Sequence, residues 1–129
     1  MKITICGSIA FHDEMIEAKE KLESLGHEVK IPQIPEGNDA WIESPMEKEE
    51  AIRTHFDKVA WSEAILVLNH DKKGVEGYVG ANTLIEMGLA LYLGKKIYLL
   101  NPIPDISYKE EIFGMKPEVV HGNFELIIL

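Results

Sequence analysis

Cysteine is almost absent: Cys6 is the single one in 129 residues. No intrachain disulfide can form, and a reducing, cytoplasmic setting is the expectation. Positive charge is also scarce, with 13 Lys and Arg against 22 Asp and Glu and a formal net charge of -9. That argues against a nucleic acid polymer as partner, because binding a phosphate backbone needs clustered Lys and Arg. A small anion stays open as a ligand, since backbone N–H groups at a helix start can hold it. No apolar run approaches the ~20 residues needed to span a bilayer. The first residues read as a strand rather than a signal peptide, so no membrane partner is expected. Neither GxGxxG nor GxxxxGK[ST] occurs, which removes the usual dinucleotide and P-loop signatures. The five histidines and the lone cysteine show no metal-ligand spacing. Neither a metal nor a cofactor is expected. With no repeat, low-complexity segment or linker, and 46% hydrophobic residues, residues 1–129 read as one globular domain.

What the chain does have is one unusual stretch, Gly80-Ala81-Asn82-Thr83-Leu84-Ile85-Glu86-Met87-Gly88-Leu89-Ala90-Leu91-Tyr92-Leu93-Gly94. A small polar turn leads into a helix pattern, from about Thr83 to Leu93, that is apolar on every face and ends at Gly94. Such a helix belongs in the interior. Glu86, in its first turn, is its one charge. An unpartnered buried carboxylate is costly or becomes protonated. Two compatible explanations are open. Thr83-x-x-Glu86 fits a capping box, in which Thr83 covers a backbone donor and Glu86 reaches back to the cap. Alternatively the site performs chemistry: the positive end of a helix keeps a carboxylate ionised, the state a nucleophile needs.

The rest of the chain alternates strands and helices. Lys2 to Cys6 is a short β-branched strand, followed at once by Gly7-Ser8, a turn placed where α/β sheets put a ligand loop. Met15, Ala18, Leu22 and Leu25 give the apolar stripe of a helix over about 13–25, closed by Gly26. His27 to Ile31 alternates like an outer strand. Pro32 to Ser44 is a long loop in which Trp41 and Ile42 could close over a ligand or pack on the domain. Ser44-Pro45-Met46-Glu47 starts a second helix with an N-cap, a first-position proline and a capping-box glutamate. Ile52, Phe56, Val59 and Ala60 form its expected buried stripe. Asp57 lies beside that stripe, either in an exposed pair with Arg53 or at the sheet rim facing a ligand. Ala64 to Leu68 is a central parallel strand, ended by Asn69-His70-Asp71. Ile97 to Leu100 is another. Ser107 to Phe113 reads as a short helix. Val119-Val120 and Phe124 to Leu129 are open between strand and helix, and the apolar C-terminus should dock on the core or on a partner chain. The expected fold is a single-domain, doubly wound α/β structure of Rossmann or flavodoxin type. Four to five parallel strands would carry helices on both faces. Gly7-Ser8, Asn69 and the start of the Glu86 helix should then meet at the carboxyl ends of the strands.

Three pieces in this order resemble a known family. Ile5-Cys6-Gly7-Ser8-Ile9 after strand one, Asp57 ahead of Ile65, and Thr83-x-x-Glu86-x-Gly88-x-Ala90 are similar to the nucleoside 2-deoxyribosyltransferase superfamily. Its 2′-deoxynucleoside 5′-monophosphate N-hydrolase branch is the nearest. The resemblance covers roughly residues 2–101. It implies that Glu86 attacks the anomeric carbon of a (deoxy)ribose and displaces the base. A glycosyl ester forms, which water or a second base then resolves. It implies that Asp57 orients the substrate and that Gly7, Ser8 and Ile9 hold its 5′ end. Gly80, Asn82 and Asn69 would line the same site. The partner would be a nucleoside or nucleoside 5′-monophosphate, and the assembly a homodimer or higher homo-oligomer. The chain differs from the family pattern at three places. Thr4 stands where an aromatic residue is common, Ala10 where a phosphate-binding arginine is expected, and Gly80 where a serine or aspartate is found. The resemblance thus implies a poorer 5′-phosphate site. A non-catalytic nucleotide-binding or sensing protein on the same fold is the alternative, and a scaffold in which Glu86 only caps its helix is a third.

Overall fold

The computed structural model describes residues 1–33 and 45–128. The chain runs β1 (Lys2–Cys6), a 3-10 turn (Ile9–Phe11), α1 (His12–Ser24), β2 (Glu28–Lys30), α2 (Pro45–Trp61), β3 (Ala64–Val67), α3 (Ala81–Tyr92), β4 (Lys96–Leu99), α4 (Lys109–Gly114), β5 (Glu118–Val119) and a last 3-10 turn (Phe124–Leu126). The strands make one sheet in the order β2-β1-β3-β4-β5, every pairing parallel. This is the expected doubly wound α/β fold, with five strands. The N-cap expected at Ser44, and Trp41 and Ile42, lie outside the described residues.

Alternation along β1 sorts the core into two layers. Ile3 and Ile5 pack with Met15, Ala18 and Leu22 of α1 on one face. Cys6 packs on the other, with Val59 of α2 and Met87 and Ala90 of α3. The last side chain of β1 is thereby aimed between two helices. The topology reverses between β1 and β3, and in open α/β sheets the ligand crevice opens at the carboxyl ends flanking such a reversal.

Two helices differ from the sequence reading. Among the described side chains of α2, His55 and Val59 are buried, Ile52 and Phe56 are half-buried and Ala60 is exposed. The helix is turned so that its inner face meets the polar end of β1. Thr4 Oγ1 donates to the Lys58 carbonyl at 2.8 Å. In α3 the N-cap is Gly80, without a side-chain cap, and Thr83 is buried inside the helix. The capping box is not formed. A lost cap costs about 1 kcal/mol, against roughly 1.5–3 kcal/mol gained by burying one large apolar side chain such as Met87. Packing therefore decides where α3 begins. Nor is α3 interior on every side: Ile85, Leu91, Tyr92 and Leu93 are exposed, Tyr92 at 87%.

Beyond β4 the short helix falls at Lys109–Gly114 and Glu118–Val119 is a strand. The C-terminal segment docks on the core through Ile127, 2% exposed, in the α1 layer.

Candidate active site

Starting α3 at Ala81 carries Glu86 into the second turn, away from the free amides of the helix start. Helix-end electrostatics cannot be its main support. Instead, three elements bring three side chains together: Cys6 from β1, His55 from α2 and Glu86 from α3. Cys6 Sγ is 3.5 Å from His55 Nε2. His55 Nε2 is 3.6 Å from Glu86 Oε2, and the two side chains are only 6% and 12% exposed.

Burial dominates the electrostatics. It pushes the Glu86 carboxyl up to about 8, opposed by a hydrogen bond with the Cys6 thiol and by the Lys48 cation. It pushes His55 down to about 4, helped by the Lys58 cation and opposed by the Ile5 carbonyl. Cys6 is raised well above the ordinary thiol range, by burial first and by Glu86 second. At neutral pH the cluster holds a carboxylic acid, a neutral imidazole and a thiol. His55 Nδ1 is buried without a hydrogen bond among the described residues, and the Ile5 carbonyl favours the charged ring. A proton on Nδ1 would leave the Nε2 lone pair for Glu86 and Cys6.

Glu86 and His55 open onto a narrow cleft of about 50 Å3. Gly7 and Ile9 line it from the turn after β1, Pro32 and Gln33 from beyond β2, Lys48, Ala51 and Ile52 from α2, and Asn82 and Ile85 from α3. It has room for a few waters beside the carboxyl. Gly7 sits tight against the neighbouring strand: a Cβ there would lie 3.2 Å from both the Leu68 carbonyl oxygen and Met15 Cε. Next to it, Ser8 caps the 3-10 turn by accepting from the Ala10 N–H at 3.3 Å, and it also accepts from Lys72 Nζ at 2.6 Å.

The residues singled out from the sequence separate accordingly. Gly7, Ile9, Asn82 and Glu86 share the cleft, and Ser8 adjoins it. Gly80 caps α3 and stands against the Tyr78 ring. Asn69 is fully buried and faces the backbone of the next loop: its Nδ2 donates to the carbonyls of Asn101 (2.8 Å), Pro102 (3.2 Å) and Gly77 (3.4 Å), and its Oδ1 accepts from the Asn101 N–H at 2.9 Å. It is a clamp behind the site. Asp57 is exposed and absent from the cleft. Two residues further along α2 than His55, it projects from nearly the opposite side of the helix. Arg53 pairs with Glu49 at 3.3 Å instead.

Sequence reasoning missed His55, Lys48 and Lys72. The spacing of Val59 and Ser62, four and seven residues after His55, was a signal that His55 shares their buried face. Cys6, His55 and Glu86 have ligand atoms within 4.8 Å of one another. Their sequence separation explains why no metal-ligand spacing flags them. A cation between them would have to displace protons from both the thiol and the carboxyl.

Solved structures share this architecture. One is a 2-deoxyribosyltransferase of Bacillus psychrosaccharolyticus, with TM-score 0.57 and 22% identity over 77% of this chain and 71% of that one. Another is the CMP N-glycosidase BcmB of Clostridium botulinum, with TM-score 0.56 and 20% identity over 92% of this chain and 85% of that one. The fold is the flavodoxin-like one of the nucleoside deoxyribosyltransferases. No protein-family model matches the sequence, and none of the curated proteins does.

Proposed function

We propose that the chain is an enzyme that cleaves or exchanges the bond between base and sugar in a (deoxy)nucleoside 5′-monophosphate, with Glu86 as nucleophile. The observation that carries this reading is the cleft carboxyl itself. Glu86 is the one acid among the described residues lining the cleft, at the topological switch point, and is held against an imidazole and a thiol. A single carboxyl at the anomeric carbon suits a covalent, double-displacement route: a glycosyl ester forms through an oxocarbenium-like transition state and is then resolved. The solved enzymes of the same fold act on this class of bond, which supports the reading.

The 5′-monophosphate is favoured over the nucleoside by Ser8 and Lys72. The resemblance left this end of the site without its arginine, because residue 10 is alanine. Lys72, from the loop after β3, places an ammonium on the Ser8 hydroxyl beside Gly7. An ammonium and a hydroxyl are donors that suit a phosphate. A homo-oligomer belongs to the same proposal: Ile85 and Tyr92, seven residues apart on one side of α3, are exposed apolar side chains that a second copy would cover. The buried single thiol fits a cytoplasmic enzyme.

The test is base release from ribo- and deoxynucleosides and their 5′-monophosphates by the wild type and Glu86→Ala. The expected result is release by the wild type, fastest from a monophosphate, and none by the variant. No release from any substrate, or equal release by both proteins, overturns the reading. The proton on Glu86 favours one competing reading, a nucleotide-binding protein without turnover. Thermal stabilisation by nucleotides with no base released on long incubation would select it.

A further inference from the structure

A thiol, an imidazole and a carboxyl converge at the inner end of the cleft, each from a different element. We propose that Cys6, His55 and Glu86 form a binding site for one zinc-class divalent cation, and that the ion, while bound, takes the Glu86 carboxyl out of the reaction. The site stands on its own geometry; its effect on turnover rests on the reading of Glu86 as nucleophile.

The separations carry it. In tetrahedral sites zinc lies about 2.3 Å from a thiolate sulfur, about 2.0–2.1 Å from an imidazole nitrogen and about 2.0–2.2 Å from a carboxylate oxygen. Two such ligands at the tetrahedral angle are then about 3.4–3.6 Å apart. Cys6 Sγ is 3.5 Å from His55 Nε2, and His55 Nε2 is 3.6 Å from Glu86 Oε2. The second spacing is too long for a hydrogen bond, which would draw nitrogen and oxygen to about 2.7–3.2 Å. It is close to the spacing an ion between them would set. All three ligand atoms lie within 4.8 Å of one another.

The donor set selects the ion. Thiolate with imidazole suits zinc and the later transition metals, whereas magnesium and calcium take oxygen ligands. Cys6 is fully buried behind the other two, while His55 and Glu86 line the cleft. An ion entering by the cleft thus meets His55 and Glu86 first, and its fourth position is left on the cleft side for a water. That is the pattern of an accessible zinc rather than a closed structural one. The Ile5 carbonyl favours positive charge on the His55 ring, the sign a bound ion induces there.

Charge balances as well. The S–H bond of Cys6 and the O–H bond of Glu86 break, both protons leave to solvent, and the ion bonds the thiolate, the carboxylate and the His55 Nε2 lone pair. Two positive charges enter and two leave. This matters because cations already act on the site, Lys48 on Glu86 and Lys58 on His55. Once bound, the ion draws off the negative charge with which Glu86 would attack C1′, and its water takes up space in a cleft of about 50 Å3.

The experiment titrates EDTA-treated protein with cobalt(II), which occupies zinc sites and reports its own ligands. One equivalent per chain should raise a thiolate-to-cobalt charge-transfer band in the near ultraviolet and the intense visible bands of a four-coordinate ion. Cys6 is the single cysteine, so the first band assigns the site even if a variant does not fold. Zinc, which binds more tightly than cobalt, should abolish both sets of bands. Cys6→Ser should lose the thiolate band, and His55→Gln and Glu86→Gln should lose saturation at one equivalent. No thiolate band in the wild type overturns the proposal, and so does saturation at one equivalent in both of the last two variants. One equivalent of zinc should also stop base release from the 5′-monophosphate cleaved fastest, and EDTA should restore it; full release with zinc bound overturns the claimed effect on Glu86. A wild type that cleaves no substrate without metal defeats the nucleophile reading alone, and the cobalt band still decides the site.

Discussion

The Lys72 ammonium lies 2.6 Å from the Ser8 hydroxyl and ties the loop after β3 to the turn after β1. No carboxylate pairs with Lys72 among the described residues. Its charge is therefore available to an anion at the mouth of the site, with the Tyr78 ring 5.6 Å away on another side. A hydrogen bond to a charged group is worth about 1.5–3 kcal/mol, or about 10- to 100-fold in affinity. Lys72→Ala should lower kcat/KM for a nucleoside 5′-monophosphate by about that factor. The value for the corresponding nucleoside should stay unchanged within about twofold, since no charged contact is lost there. Steady-state kinetics on the matched pair checks this, and equal loss on both substrates would remove Lys72 from phosphate binding.

Asn69 should prove structural. Replacing it with alanine strands the Asn101 N–H and several carbonyls in a buried place. Unsatisfied buried groups cost about 1–3 kcal/mol each, so Asn69→Ala should destabilise by roughly 2–4 kcal/mol and lower Tm by on the order of 10 °C. Denaturant unfolding measures the first and calorimetry the second. KM at low temperature, where the variant is folded, should hold. A large KM rise at unchanged stability would return Asn69 to the substrate.

The fold was legible because each strand is a short apolar or β-branched run closed by turn residues, and parallel order follows from strands alternating with helices. Gly7, Ile9, Asn82 and Glu86 were legible for the same reason: topology places the ends of β1 and the start of α3 at one edge. His55 was not. Its neighbours Ile52, Phe56 and Ala60 form a plausible apolar stripe, and only the polar ends of Thr4 and Cys6 across the interface make a buried histidine the better partner. The start of α3 was also misread, because Thr83-x-x-Glu86 matches a capping motif that packing overrides. Lys72 reaches Ser8 across 64 positions of sequence, a contact that no local pattern encodes.

Asp57 provides a sharp contrast to Glu86. Its side chain is exposed, and α2 turns His55 rather than Asp57 toward the cluster. Asp57→Asn should leave base release within about twofold and stability within about 0.5 kcal/mol, the usual range for an exposed site. Kinetics at saturating substrate decide the matter. A loss beyond about 100-fold, the scale on which a proton-handling group acts, would place Asp57 in the chemistry.

Stability should fall as pH rises above neutrality, and Glu86 is the reason. Its folded value of about 8 lies above the ordinary 4.5, so its contribution is complete below 4.5 and is lost as pH rises through 8. His55 runs the other way. Its folded value of about 4 lies below the ordinary 6.5, so its contribution is present above 6.5 and is lost as pH falls toward 4. Between 4.5 and 6.5 the two slopes oppose and cancel. From 6.5 to 8 only the Glu86 slope remains. At about 1.4 kcal/mol per pH unit this amounts to roughly 2 kcal/mol. Glu86→Gln keeps the shape of the side chain and has no proton to lose. Relative to the wild type, it should therefore gain about 2 kcal/mol between pH 6.5 and pH 8 while releasing no base. Urea unfolding of both proteins at the two pH values measures this. If the wild type is equally stable at both, Glu86 is already ionised in the folded protein, and the proton assigned to it is not there.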